Sequence, residues 1–345
     1  MTGRWLRFLE DAGAVTDESG RVSHFGNPSR ELRVATRGSV IVDLSHFGLI
    51  RARGPDAAKF LQGQLTNDVN QVDAGHGQLS GLCTPKGRLL AILRIFLRAE
   101  SYFLLLPSPL TAPTLERLRK YVLMSKVELV DDSEALVGVG LSGPHCEKEL
   151  EQLVEPVPAA VNDSVQANDM TVIRTAAIQP RFEIYGPTEV MEKTWARLDV
   201  RAAPVGAAAW TLLDVLAGVP AVYPQTVDEF VPQTVNLDLL GGISFNKGCY
   251  TGQEIVARVH YRGTVKRRMY LAHCDAAEAP RPGDAVRTAG SDQAIGRVVS
   301  AAPDPDGGHL LLTSVTTGLT DLRLGQPTGP ALELRDLPYL RAGAD

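Results

Sequence analysis

The segment Lys247-Gly248-Cys249-Tyr250-Thr251-Gly252-Gln253-Glu254 concentrates side chains able to do chemistry. A thiol, an amine, a phenol, a carboxamide and a carboxylate are separated by two glycines. Thr251-x-x-Glu254 has the form of a capping box ahead of Ile255, Val256 and Val259, which predicts a helix from Gly252 with Thr251 as its N-cap. Cys249 then stands near the positive end of the helix dipole, with Lys247 two residues away on its other side. Both effects favour thiolate and lower the thiol pKa below its reference of about 8.5. Gly248 and Gly252 remove side-chain bulk and permit close approach of a ligand or partner. The plainer alternative is a small buried cysteine beside an ordinary helix start.

Charge is locally concentrated as well. From Lys247 to Arg268 the cations are Lys247, Arg258, Arg262, Lys266, Arg267 and Arg268, against Glu254 alone, so six positive and one negative charge give +5 over these residues. Two interpretations stand side by side. One is a solvated charge run at a domain junction. The other is an anion site for a polyglutamyl tail, a phosphate or an acidic partner, where Tyr250 and Tyr261 stack on a planar ligand.

The whole chain does not share that character. Its 345 residues carry a net charge of -5, which gives no general attraction to nucleic acid or anionic membrane. Hydrophobic residues make up 44%, enough for large cores and for two domains, or one domain with an appendage. No run is long and apolar enough to span a membrane, and Glu10 and Asp11 interrupt the start before any apolar signal region forms. A cytoplasmic location is expected. Cys83, Cys146, Cys249 and Cys274 form no C-x-x-C pair, so no local zinc or cluster motif is present and no metal is expected. The histidines show no metal spacing either.

The elements that must position these residues follow from patterning. Residues 4–12 place Trp5, Leu9 and Ala12 on one helical face. Asp17 to Arg30 is polar and reads as a loop. Val40-Ile41-Val42 fits a strand, and Gly54-Pro55-Asp56 opens a helix carrying Ala58, Phe60, Leu61 and Leu65. Gln78–Cys83 and Arg88–Arg98 read as strands joined by the turn Pro85-Lys86-Gly87, with a further strand at Tyr102–Leu106. A helix over 114–123 and strands at 127–130 and 135–141 follow, then a helix capped by Ser142 with Pro144 in its first turn. Arg181–Tyr185 is a strand, and 187–198 and 205–216 are helices, the second stopped by Gly218 and Pro220. Beyond Val265 short strands at 268–273, 285–288, 295–299 and 309–314 alternate with turn clusters and suggest a small barrel. The fold class is α+β, with a body over 1–262 and a β-barrel domain over 263–345.

The eight residues 247–254 match throughout the signature of the YgfZ family, folate-binding proteins involved in assembly or repair of iron–sulfur enzymes. Val42-Asp43-Leu44-Ser45-His46-Phe47-Gly48, Gly54-Pro55-Asp56-Ala57 and Thr66-Asn67-Asp68-Val69 resemble the opening of the related glycine cleavage T-protein, an aminomethyltransferase. Phe182-Glu183-Ile184-Tyr185 resembles its mid-chain strand. The resemblance covers essentially the whole chain. It implies a tetrahydrofolate-binding body around a central channel, and folate, iron–sulfur client or assembly proteins as partners. It implies Cys249, Lys247 and Glu254 as the reactive group, and Glu183, Asn67, Asp68, Tyr250, Gln253, Arg258 and Arg262 as the folate-binding set. Glu183 suits a pterin because a carboxylate accepts two hydrogen bonds from its amino-pyrimidine edge; without the resemblance it would be an outward-facing strand residue. Asn67 and Asp68 would otherwise be simple turn residues.

One departure separates the two families. Where the T-protein carries a pair of aspartates used in folate chemistry, this chain has Ala91 and Ile92, which can neither hydrogen-bond the folate amine nor hold a proton. A folate-dependent one-carbon transferase is therefore the alternative function, and it would need another carboxylate. An RNA-binding module using residues 258–268 is a third, with nucleic acid not expected as a partner because the chain is acidic.

Overall fold

A computed structural model describes residues 3–18, 20–262 and 265–341, without the side chains of residues 262 and 341. Among these, three larger sheets carry the architecture. The central one is six-stranded, in the order Ser164–Ala167, Met170–Arg174, Arg181–Gly186, Val137–Ser142, Val40–Asp43 and Ala203–Val205. Its neighbours are antiparallel except the last pair, where Ala203–Val205 runs parallel to Val40–Asp43. The second is a five-stranded antiparallel sheet, in the order Gln78–Cys83, Leu89–Arg98, Ser101–Pro107, Phe47–Arg53 and Glu128–Asp131. The third is a curled antiparallel sheet, a half-barrel, in the order Leu322–Leu324, Ala285–Thr288, Gly296–Pro303, His309–Thr316, Arg267–Cys274 and Glu333–Arg335. The α+β class and the C-terminal barrel-like sheet are as the patterning predicts.

The largest core lies where these layers meet. It takes Leu79, Leu82, Leu93 and Leu104 from the five-stranded sheet, Val40 and Val42 from the central sheet, Trp210 and Leu213 from the helix Ala207–Ala217, and Met269, Val299 and Leu312 from the half-barrel. One face of the half-barrel thus packs on the body, and the opposite face has a separate core around Val286, Val298 and Leu311. The Ala207–Ala217 helix ends where expected, with Gly218 at φ +71°. That helix is apolar almost all round, as burial among three layers requires.

Three expectations need correction. The stretch 17–30 is not all loop: Val22–His24 is a strand, and a helix runs Pro28–Arg37. Asn27 caps that helix by accepting from the Arg30 backbone N–H at 3.0 Å, and Pro28 takes its first turn. The buried face is only Glu31, Leu32 and Ala35, too polar to register as a stripe. The helix after Pro55 is short, Ala57–Gln62, and Leu65 lies beyond it. Ser142 is not a helix cap; it is the buried last residue of Val137–Ser142, paired with Val40 and Arg181, and the helix begins at Cys146. The strands Ser164–Ala167 and Met170–Arg174 also went unpredicted.

Candidate functional site

The Gln78–Cys83 and Leu89–Arg98 strands form a hairpin that serves two different places. Its turn meets the 247–256 segment, and its middle lines a buried cleft. The register pairs Leu79 with Arg94 and Gly81 with Ile92.

At the turn, glycines set the fit. Gly252 sits at φ +86°, and a Cβ there would stand 2.4 Å from the Thr84 carbonyl oxygen. A Cβ on Gly87, at φ +68°, would stand 2.8 Å from Ile255 Cβ. The helix Gln253–Arg262 can therefore lie on the turn only because both positions lack side chains. This corrects the expectation for Gly252, whose close approach is made within the chain. Gly248 is different: no atom lies within 4 Å of where its Cβ would be. The expected capping box also gives way. The helix starts at Gln253, one residue late, and Glu254 accepts from Arg258 at 2.8 Å one turn onward.

Lys247 points inward rather than at Cys249. Its ammonium donates to the carbonyls of Leu65 at 2.6 Å and Asn67 at 2.7 Å, and lies 5.1 Å from the centre of the Tyr250 ring. Burial lowers its pKa to about 8, with Asp68 opposing. Thr66 Oγ1 donates to the Gly242 carbonyl at 2.7 Å, and Asn67 Nδ2 donates to the carbonyls of Leu79 at 2.9 Å and Gly241 at 2.7 Å. Asp68 accepts from Gln62 and Asn70. The turn 65–68, the hairpin and the segment 241–247 are thus fastened together, with Lys247 at the centre.

Cys249 is exposed, while Cys83, Cys146 and Cys274 are buried. Burial pushes the Cys83 and Cys146 thiols up to about 12. Tyr250 is buried too, its phenol pushed up by the same cause, so it is no stacking platform; Tyr261 is exposed. The basic run disperses. Lys247 is inside, Arg268 forms a two-point pair with Asp238 at 2.7 and 3.0 Å, and Arg258 pairs with Glu254. Lys266 and Arg267 are exposed, and the Arg262 side chain lies outside the described residues.

About five residues along the hairpin, or roughly 17 Å at strand rise, the second place begins. A cleft of about 550 Å³, solvent-open mouth included, is lined by Ile92, Arg94, Glu183, Asp214, Tyr223 and Ser300 among others. These come from the five-stranded sheet, the central sheet, the Ala207–Ala217 helix and the half-barrel, with Tyr223 from the loop after that helix. Glu183 is 4% exposed; its Oε2 accepts from the Tyr185 hydroxyl at 2.9 Å and pairs with Arg94 Nε at 3.2 Å. Arg181, 1% exposed, pairs with Asp214 at 2.8 Å, and its guanidinium carbon stands 3.6 Å from the centre of the Trp210 ring. Burial raises the Asp214 carboxyl pKa despite that partner, and pushes the Tyr223 phenol up to about 12. Arg94, Glu183 and Asp214 line the cleft and Arg181 pairs with Asp214 from behind it, so two guanidinium groups and two carboxylates compensate one another in otherwise apolar surroundings.

Glu183 is therefore inside, not outward-facing. Ile92 lines the same cleft and Ala91 is wholly buried. Asn67, Asp68, Gln253, Arg258 and Cys249 do not line it, so the structure divides the predicted residues between two places. Arg94, Arg181, Asp214 and Tyr223 escaped the sequence reading. Their signal was present: Arg94 interrupts the apolar strand Leu89–Arg98, and Asp214 the apolar helix Ala207–Ala217. A charge inside an apolar element is either a pairing or a site.

Known proteins resemble this chain in sequence and in shape. The family described as GCVT N-terminal domain matches residues 21–241. A protein of Serratia proteamaculans named "tRNA-modifying protein YgfZ" is 32% identical over 87% of this chain and 92% of that one. One of Photorhabdus laumondii with the same name is 35% identical over 73% of this chain and 76% of that one. The glycine cleavage system aminomethyltransferase T of Bartonella henselae superposes with a TM-score of 0.79 over 96% of both chains at 20% identity, which establishes a shared fold. No helix among the described residues is long and apolar enough to cross a membrane.

Proposed function

Because the chain belongs to the YgfZ family, built on the GCVT N-terminal domain and related to the T-protein, we propose that it binds tetrahydrofolate and acts in tRNA modification by supporting assembly or repair of iron–sulfur enzymes. The observation that carries the folate half is the Glu183–Arg94 pair inside the cleft. Both contacts of Glu183 fall on Oε2, so Oε1 is the atom a pterin amine would reach. Arg94 and Tyr185 hold the carboxylate in place. The apolar walls Phe47, Leu79, Ile92 and Leu105 suit the flat face of the ring.

Folate would supply a one-carbon carrier; this chain's residues would bind and orient it. Ala91 and Ile92 offer no proton acceptor where the T-protein has its aspartates. That favours maintenance over aminomethyl transfer. The exposed Cys249 would serve redox chemistry or client contact at the far end of the hairpin, with Glu254 and Gln253 flanking it. Lys247 holds the loop that presents it.

The experiment is calorimetric titration with tetrahydrofolate, wild type beside Glu183→Gln. The isosteric amide keeps the cleft filled and keeps an acceptor for Arg94 and Tyr185 while removing the negative charge, whereas alanine would leave both donors without an acceptor. Binding by the wild type, weakened at least tenfold in Glu183→Gln, supports folate recognition. Absence of wild-type binding overturns it. A Cys249→Ser strain that fully restores cluster-dependent enzymes in a deletion background would remove the thiol from the proposal.

A further inference from the structure

Three aromatic rings sit together where Phe245 meets the cationic helix Gln253–Arg262, and none of them lines the cleft around Glu183. Phe245 stacks on His260 with centroids 3.7 Å apart and planes 12° from parallel. Tyr261 meets His260 edge-on at 4.8 Å and Phe245 at 6.3 Å. Phe245 is half-buried against the main core and anchors the group, while His260 is exposed and Tyr261 is 67% exposed. Since Phe245 covers one face of the imidazole, the accessible area of His260 lies on its other face and edge.

Large exposed aromatics forfeit burial, and a ring stack held at the surface offers a flat, rigid partner for another ring. Cations accompany it. Arg258 stands one helical turn before Tyr261, on the same side, with 61% of its side chain exposed. Its pair with Glu254 is equally exposed, so it costs little to exchange for a phosphate. Further along the chain, at the start of the strand Arg267–Cys274, Lys266 and Arg267 are both exposed. The chain's net -5 does not cancel these charges, because remote acids are screened beyond about 8 Å at physiological salt.

We infer that the Phe245–His260–Tyr261 stack, with Arg258, Lys266 and Arg267, is a binding surface for single-stranded nucleic acid, on which an unpaired base stacks while the cations meet its phosphates. Stacking on exposed rings beside a cationic track is the chemistry by which unpaired strands are held. This goes beyond the folate proposal and does not depend on it.

The test is fluorescence anisotropy with labelled RNA of about 12 nucleotides, the matching single-stranded DNA and the RNA duplex, titrated across about 50 to 300 mM salt. The single strands are expected to bind more tightly than the duplex, and tighter RNA binding would assign the 2′-hydroxyl a contact. Tyr261→Ala and His260→Ala should each weaken single-strand binding about fivefold or more. Arg267→Gln should lower the salt slope by about 0.7. Tetrahydrofolate binding should match the wild type in both aromatic variants; the melting temperature should match in Tyr261→Ala and fall slightly in His260→Ala, which loses its stack on Phe245. Equal affinity for duplex and single strand, indifference to Tyr261→Ala, or no binding at low salt overturns the inference.

Discussion

The Arg94 guanidinium and the Glu183 carboxylate meet at 3.2 Å from different sheets, and both are almost wholly buried. Arg94 comes from the middle of the hairpin and Glu183 from the middle of the central sheet. Neither charge would be tolerated there alone, so the pair fixes how the two sheets face each other across the cleft.

Removing one partner should therefore cost more than removing both. Arg94→Met should destabilise the protein by about 3–5 kcal/mol, because it leaves a buried carboxylate uncompensated. Glu183→Gln with Arg94→Met should recover most of that loss. Urea denaturation of the single and double variants measures the difference, and additive losses would contradict the coupling.

Tyr185→Phe removes only the hydroxyl that donates to Glu183. A loss of roughly 2 kcal/mol in stability is expected for a buried hydrogen bond to a charged group. Weaker tetrahydrofolate binding should accompany it, since Glu183 loses one of its two restraints. Denaturation and calorimetry on the same variant read both.

Ala91 and Ile92 should differ in how far they tolerate aspartate, because alternate strand residues face opposite ways. Ile92 lines the cleft, while Ala91 lies at zero exposure in the core. Ala91→Asp buries a lone carboxylate and should abolish soluble folded protein. Ile92→Asp should fold, with a lowered melting temperature. Expression and thermal melts of the two variants decide this.

Lys247→Met leaves the Leu65 and Asn67 carbonyls without their donor and should cost about 2–4 kcal/mol. The pH dependence has a definite sign. The folded-state pKa is lowered to about 8 from 10.5, so between those values the unfolded chain binds more protons. The Lys247 contribution must then rise with pH through that window, and a neutral amine still donates both bonds. The stability gap between wild type and Lys247→Met should widen from pH 8 to pH 10.5.

Cys249 is the exposed thiol of the four. Ellman's reagent should titrate one thiol rapidly in the native protein and four after denaturation. Cys249→Ser should abolish the fast phase. A fast phase that survives the substitution would mean that a buried cysteine opens readily.

Much of this was legible along the chain. Apolar runs bounded by turn residues located the hairpin, the Arg181–Gly186 strand, the Ala207–Ala217 helix and four of the six half-barrel strands, because an element buried on most sides is written as consecutive apolar residues. The Asn27-Pro28 helix start was equally local, but its short and polar buried face hid it. The 247–254 signature and the Ala91, Ile92 departure were also written in residue order. Which charges share a cleft was not. Arg94, Arg181, Glu183 and Asp214 lie on three elements up to 120 residues apart, and only packing decides that they compensate one another. The glycines show the same limit: sequence marks Gly87 and Gly252 as places without bulk, but only the fold decides that they make room for each other's backbone and Ile255 while Gly248 faces open space. Local pattern sets what an element is, because periodicity is a property of consecutive residues. What an element's charges and gaps are for depends on the neighbours that tertiary packing brings.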